Sequence, residues 1–362
     1  MSSSRNLKSL LTEMVQKKGS DLHLSAGSPP QIRVDGEMCR LDQAALSPEE
    51  ARALCLEEAS EQHRNLFKTR SEIDFSFGIE GLSRFRANIY LEKESVAGAF
   101  RALAWKIPSL ESLGLPEKVK ELVNRPNGLV LVTGATGSGK STTIASILDQ
   151  INHTRHEHMM TVEDPIEYIF SHGTCMVHQR EVGTHTESFQ TALKYILRQD
   201  PDIVLVGEMR DLETIQAAIT TAETGHLVFA TLHTNTAVQT IDRIIDVFPA
   251  SQQPQVRSQL SFILAAVLSQ QLVPVKSGGR KLAIEMLFPN YAIRNLIREG
   301  KTHQIYSQMQ TGQTGTGMRT MTQSLIELLK KGEIDLETAK EYAQDLQELE
   351  QNYLRIFPTR KP

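Results

Sequence analysis

The sequence is poor in cysteine: Cys39, Cys55 and Cys175 are all it holds in 362 residues. No two form a CxxC pair, so a disulfide framework and a four-cysteine zinc module are both excluded, and a reducing compartment is expected. Long apolar runs are missing as well. The longest, Phe262 to Leu268, falls far short of the ~18–20 residues that cross a bilayer. No membrane span is therefore expected, and any action at a membrane would come from the side. The opening stretch MSSSRNLKSLLTEMV is too polar for a secretory signal. Charge of one sign is not in excess: the formal net charge is −4. A broad basic field is thus absent, which disfavours a nucleic-acid partner. What remains is ordinary, with 40% hydrophobic and 23% charged residues, as in a globular chain with real cores and room for two domains.

Residues 1–104 read as a small α/β domain. Leu7, Leu10, Leu11, Met14 and Val15 recur at helical spacing, and Gly19 follows as a stop. Asp35-Gly36 is a hairpin dipeptide. Ser47-Pro48-Glu49-Glu50 supplies an N-cap and a first-turn proline. Strands are expected over 73–79, 84–91 and 95–103. The stretch 105–118, with two prolines and a glycine, suits an interdomain linker. From 119 to 289, short apolar runs at 128–132, 159–162, 202–206, 227–232 and 281–288 alternate with helical patterns at 141–152 and 212–223. That alternation predicts a doubly wound parallel sheet. Residues 290–362 read as helical, interrupted by TGQTGTG at 311–317.

The strongest chemical signal is Gly134-Ala-Thr136-Gly137-Ser138-Gly139-Lys140-Ser141, a GxxxxGKS loop followed by Thr142. Glycines let backbone N–H groups close on phosphate oxygens, and the following helix aims its positive end at them. Lys140 would reach the β- and γ-phosphates and Ser141 would hold magnesium. Chance gives this four-position pattern in roughly 1% of chains of this length. Here the loop also has the required setting, a strand-like GLVLV before it and an amphipathic helix after it. Hydrolysis needs further groups, a carboxylate on the metal and one that orients water. Glu163 and Glu208 end apolar runs, where a parallel sheet places ligands. Asp164 beside Glu163 reads more readily as a solvated acid. His233 ends LVFATLH as a possible γ-phosphate sensor, with His226 at its start. Arg84, Arg86 and Arg101 in the first domain are candidates to complete a multimeric site.

Taken together these residues resemble the secretion ATPase superfamily, and within it the type IV pilus retraction ATPases of the twitching motility PilT family. The similarity runs through SDLHLSAGSPPQIRVDGE at 20–37, GATGSGKSTT, TVEDPIEY, RQDPDIVLVGEMRDLETI at 198–215, TGHLVFATLHTNTA and AIRNLIREG at 292–300. The resemblance implies a PAS-like N-terminal domain and a RecA-like P-loop ATPase domain with a helical C-terminal region, assembled as a homohexamer. It implies ATP and Mg²⁺ as ligands, with phosphate held by the loop from Gly134 to Thr142 and by His226. It makes Glu163 the catalytic glutamate, Glu208 with Ser141 the magnesium ligands, His233 part of a His box, and Arg86 and Arg101 the arginines that reach the nucleotide. The partners it implies are an inner-membrane pilus platform protein and a paralogous retraction ATPase, with the ring at the cytoplasmic face of that membrane. Assembly and type II secretion ATPases are the nearest alternative, but they carry a longer N-terminal region and a four-cysteine module. An accessory paralogue with weak turnover is another.

Overall fold

A computed structural model describes residues 6–34, 36–103, 106–311 and 316–357. Asp35 of the expected hairpin turn, the linker start at 105 and most of the 311–317 interruption lie outside the described residues. The chain divides into two compact units. One is Met1–Lys106 with Pro165–Ile169; the other is Ile107–Asp164 with Phe170–Pro362. A linear reading of the sequence has no means of seeing that five residues from the middle of the chain cluster with the first unit.

The first unit is a six-stranded sheet with helices laid on it. Its strands are β1 (Asp21–Leu24), β2 (Gln31–Val34), β3 (Glu37–Arg40), β4 (Glu72–Ile79), β5 (Ser83–Glu92) and β6 (Ser95–Leu103), in the order β3-β2-β1-β6-β5-β4. Every pairing is antiparallel. Such a sheet can bury one face and wet the other, and β4 does so: Ile73, Phe75, Phe77 and Ile79 are buried while Glu72 and Asp74 are exposed. The helices are α1 (Leu7–Gln16), α2 (Pro48–Cys55) and α3 (Glu61–Arg70). In α1 the spacing expected from sequence buries Leu7, Leu10, Leu11 and Met14, and the Asn6 side chain caps the Ser9 amide at 2.8 Å. The stop differs from expectation: Lys18, at φ 58°, takes the left-handed position, and the Gly19 amide returns to the Met14 carbonyl at 2.8 Å. In α2, Ser47 and Glu50 form a reciprocal capping box with Pro48 as first residue.

In the second unit the strands are β7 (Gly128–Thr133), β8 (His158–Glu163), β9 (Met176–Glu181), β10 (Ile203–Val206), β11 (Leu227–Leu232), β12 (Leu264–Pro274) and β13 (Arg280–Leu287). Their order is β13-β12-β7-β11-β10-β8-β9. All neighbours are parallel except β12 and β13, which form an antiparallel hairpin. A parallel sheet is covered on both faces, and every residue of β7, β10 and β11 is buried. After a short helix α4 (Glu117–Lys120) come α5 (Lys140–Thr154), α6 (Phe189–Ile196), α7 (Leu212–Glu223), α8 (Ala237–Asp246) and α9 (Gln253–Ile263). Leu129, Leu131, Val228 and Ala230 join Ile215, Ile219, Ile241 and Leu260 of α7, α8 and α9 in one core. Each such Leu, Ile or Val side chain contributes about 1.5–3 kcal/mol by burial.

Two strands escape a reading by pattern. The polar β9, MVHQRE, is half exposed with an eBeiiB burial sequence. The apolar start of β12 runs on unbroken from α9, and only the extended backbone of Leu264, ψ 116°, ends the helix. Beyond β13 lie α10 (Tyr291–Arg298), α11 (Ile305–Thr311), α12 (Met321–Lys330), α13 (Leu336–Tyr342) and α14 (Leu346–Ile356). The last three form a second small core with the hairpin, through Val273, Ala283, Leu325, Leu329, Ala339 and Leu349.

In the first unit α2 packs tightly on β6 at Gly98. A methyl added at Gly98 would stand 2.8 Å from Cys55 Sγ, 2.9 Å from Ile89 Cδ1 and 3.1 Å from Phe100 Cε2. Cys55, Ile89 and Phe100 are fully buried and have nowhere to retreat. Gly98→Ala is expected to destabilise this unit by about 1–3 kcal/mol, read as a lowered denaturant midpoint with an unchanged slope. Adding Cys55→Ala is expected to restore part of the loss, since it removes the nearest clashing atom.

Candidate functional site

β7 points its carboxyl end at a loop that leads directly into α5. Gly134 is confined there by its neighbours: its φ is 140°, and a Cβ would lie 2.4 Å from the Gln270 carbonyl oxygen and 2.6 Å from Ser138 Oγ. Only a residue without a side chain passes. Gly139 caps α5 at φ 90° and offers no side-chain acceptor to the first helical amides. The start of the helix carries positive partial charge, a setting that suits an anion. Lys140 is 8% exposed, and its Nζ donates to the Gly134 carbonyl at 2.9 Å and the Ala135 carbonyl at 3.0 Å. Ser141 and Thr142 occupy the first turn of α5, half-buried, while Thr136 and Gly137 stand exposed on the loop.

Two buried polar atoms beside this loop lack any hydrogen-bond partner among the described residues, Ser138 Oγ and Gln270 Oε1. Such orphans are costly unless a ligand or water meets them. Both side chains line a cavity of about 620 Å³, bounded by Ala135–Ser138, Asn235 and Tyr342. Orphaned acceptors, uncapped amides and a glycine cradle are the features a nucleotide phosphate chain fits. Gln270 had no sequence signal, since it lies within a strand that pattern did not reveal. Its Nε2 donates to Thr143 Oγ1 at 2.7 Å, and next to it Ser269 shares a hydrogen bond with Thr133 at 2.8 Å. These two contacts brace the loop from below.

The ends of β8, β10 and β11 lie side by side. Val206 pairs with Val162 on one side and with Ala230 on the other. The Gly207 amide donates to the Val162 carbonyl at 2.8 Å, and Thr231 Oγ1 donates to the Gly207 carbonyl. Glu163, Glu208 and His233 extend from these three ends. Glu163 is 8% exposed; its Oε1 accepts from Thr161 Oγ1 at 2.6 Å and from Gln179 Nε2 at 3.3 Å. Glu208 faces His233, with Oε1 3.1 Å from Nε2. Arg210, absent from the sequence expectations, grips the same carboxylate at 2.6 Å to Oε1 and 2.7 Å to Oε2. Burial pushes the Glu208 carboxyl up, but the hydrogen bonds and charge of Arg210, aided by His233, outweigh it and hold the group below the usual carboxylate range. Asp164 is exposed. The Gly134 amide donates to the Leu232 carbonyl at 3.3 Å, so the phosphate loop and His233 leave adjacent strands at the same edge.

His226 is not brought there. Its carbonyl accepts from the Gly128 amide at 3.1 Å, at the amino ends of β11 and β7. Strand rise puts that about 20 Å from the carboxyl ends. Its ring Nδ1 lies 3.0 Å from the Thr221 carbonyl, a bond that closes off α7. The expectation that His226 touches phosphate is therefore corrected for this chain's own site: the residue sits at the wrong end of its strand.

Arg84, Arg86 and Arg101 belong to the first unit. Arg86 and Arg101 are cross-strand partners on β5 and β6. Asp74 accepts from Arg86 at 3.4 Å and Asp21 from Arg101 at 2.8 Å, and the arginine side chains stay 45% and 65% exposed. Arg84 donates to Ser76 Oγ at 2.5 Å and to the Ile166 carbonyl at 3.4 Å.

Comparison with known proteins adds to this geometry. The family model described as Type II/IV secretion system protein matches residues 99–304. The chain is 48% identical to the type IV pilus retraction ATPase PilT of Pseudomonas aeruginosa, over 92% of this chain and 97% of that one. It is 45% identical to a twitching motility protein of Neisseria gonorrhoeae, over 93% and 90% of the two chains. A crystal structure of the pilus retraction motor PilT with bound ADP superimposes with a TM-score of 0.91 at 52% identity, covering 96% of this chain and 100% of that one. The fold is thus a PAS-like unit and a RecA-like P-loop ATPase unit with C-terminal helices. Among the described residues no helix is long and apolar enough to cross a membrane.

The Glu208–Arg210 contact can be tested directly. A carboxyl held low in the folded state contributes stability above its unfolded pKa and loses it as pH falls through the lowered value. Arg210→Met removes the main opposing charge while burial remains, so the Glu208 carboxyl is expected to titrate at higher pH, followed by its ¹³C shift. An unchanged titration would show that the contact does not form in solution.

Proposed function

The chain belongs to the type II/IV secretion system protein family, beside its pilus retraction ATPases, and on that premise we propose that it is a magnesium-dependent ATPase motor that drives type IV pilus retraction and twitching motility. The observation that carries this is the convergence of the uncapped α5 amides and Lys140 with Glu163, Glu208 and His233 at one sheet edge. The two pilus relatives match nearly the whole chain rather than the P-loop alone.

In the proposed reaction the amides from Gly134 to Thr142 receive the phosphate oxygens, and Lys140 turns from the loop carbonyls to the β- and γ-phosphates. Ser141 and Glu208 would hold magnesium, which supplies charge screening and polarises a phosphate oxygen. A carboxyl kept below its usual range is ionised at neutral pH, as a metal ligand must be. Glu163 orients the attacking water and receives its proton; His233, in contact with Glu208, reports on the γ-phosphate. Arg86 and Arg101 are proposed to reach nucleotide across a homohexameric ring, where their charge would stabilise the transition state. Each leaves its acid, Asp74 or Asp21, only if phosphate competes better. The proposed organisation has domains at 1–104, 119–289 and 290–362, with 105–118 as the hinge that converts nucleotide turnover into movement. The ring would work at the cytoplasmic face of the inner membrane on the pilus platform protein, alone or with a paralogous ATPase.

Glu163→Gln is expected to keep ATP binding and to lower kcat by about 10²–10⁴-fold, while Lys140→Ala abolishes turnover. Equal, slow hydrolysis by wild type and Glu163→Gln would defeat the enzyme assignment. In cells whose only copy is Lys140→Ala, abundant surface pili without twitching are expected. Bare cells would instead make this an assembly motor.

A further inference from the structure

Glu285 is an anomaly of the second unit. It lies on β13 opposite Ser269, is wholly buried, and no cation pairs with it among the described residues. Burying an unpaired carboxylate is expensive, so something must offset the cost. A helix start does so in part. Oε1 accepts from the amide of Ala237, the first residue of α8, at 2.7 Å. The neighbouring Ile284 amide donates to Ser324 Oγ of α12 at 2.9 Å, which fastens β13 to that helix at the same height. Oε2 itself lacks a partner of good geometry. Burial, with the nearby charge of Glu348, pushes the Glu285 carboxyl up to about 7. Glu348 is held in turn by Tyr306, Gln310 and Thr322, which donate to it at 2.5, 2.9 and 3.2 Å.

The segment reached by Glu285 is the one that follows His233. Between His233 and α8 lie only Thr234, Asn235 and Thr236. Thr234 Oγ1 bonds Thr240 Oγ1 at 2.7 Å, and Thr236 caps α8 through the Gln239 amide at 3.0 Å. The C-terminal region fastens the same segment a second time, from the surface: Gln344 Nε2 donates to the Asn235 carbonyl at 3.0 Å. Residues 235–237 are thus held from two sides, by a carboxylate of β13, a strand fastened to α12, and by the link between α13 and α14. Asn235 and Tyr342 both line the cavity beside the phosphate loop.

We infer that Glu285 is a positioning residue that, with Gln344, ties the His233 segment to the C-terminal helices, so that the packing of α12–α14 sets where His233 stands against Glu208. The inference rests on the ATPase reading for its kinetic consequence, but not for its structural one. Gln at 285 keeps an acceptor for the Ala237 amide, as the protonated acid does; Met fills the same space without one.

The experiment compares Glu285→Met, Glu285→Gln and Gln344→Ala in the full chain, by hydrogen exchange of the 234–238 amides and by ATP kinetics. Glu285→Met is expected to speed exchange there about tenfold and to lower kcat about tenfold, with KM for ATP within threefold of wild type. Glu285→Gln is expected to restore both. Gln344→Ala, at an exposed position that folding tolerates, is expected to shift both in the same direction by less. If Glu285→Met proves insoluble, Gln344→Ala decides alone. Exchange unchanged in the variants, or Met and Gln variants that behave alike, would overturn the inference. Wild type without turnover would defeat the ATPase reading while the exchange data still judged this one.

Discussion

The second unit is organised around the start of α5, which no side chain caps. A helix start carries positive partial charge and is a ready setting for an anion. Keeping it fixed demands the rest. Gly134 must pass within touching distance of the Gln270 carbonyl, so β12 must lie beside β7. Gln270 must bond Thr143, so α5 must sit at one height above the sheet. The parallel strands, buried on both faces, supply the rigid edge from which these groups project.

Charges of both signs meet at that edge, Lys140 on the loop and Glu163 and Glu208 at the strand ends. Lys140 is buried, and its Nζ donates to two loop carbonyls. Glu208 by contrast is held by Arg210 and His233, which keeps it ionised despite partial burial. Glu163 accepts from the neutral donors Thr161 and Gln179. Two acids at the ends of neighbouring strands thus have different partners.

In the first unit Arg86 and Arg101 oppose each other across β5 and β6. Like charges placed so repel, and each is calmed by an acid, Asp74 or Asp21. Asp21 shows the result: burial raises its carboxyl, yet Ser20 and Arg101 bring it below its usual value. The Arg86–Asp74 pair is exposed, where ion pairs contribute little to stability, whereas the Arg101 guanidinium reaches from solvent to a buried Asp21.

The phosphate loop, Glu163, Glu208 and His233 were legible in the chain because each follows a short apolar run, and in a parallel sheet the end of such a run is where ligands bind. The strands around them were legible for the same reason, as were the caps at Ser47 and the amphipathic face of α1. What sequence alone determined is local: period, punctuation and the loop chemistry, all of which act within about ten residues. Gln270, Arg210 and Glu285 were not legible, because their roles depend on which strands become neighbours. The start of β12 carries no turn signal, since α9 and β12 share one apolar run. His226 shows the converse. The family resemblance grouped it with His233, but the extended strand between them carries it to the opposite edge of the sheet. Strand order, the docking of Pro165–Ile169 in the first unit and the meeting of the start of α8 with a buried carboxylate of β13 were decided only by tertiary packing, because long-range contacts are set by total burial and hydrogen-bond satisfaction rather than by any residue's neighbours in sequence.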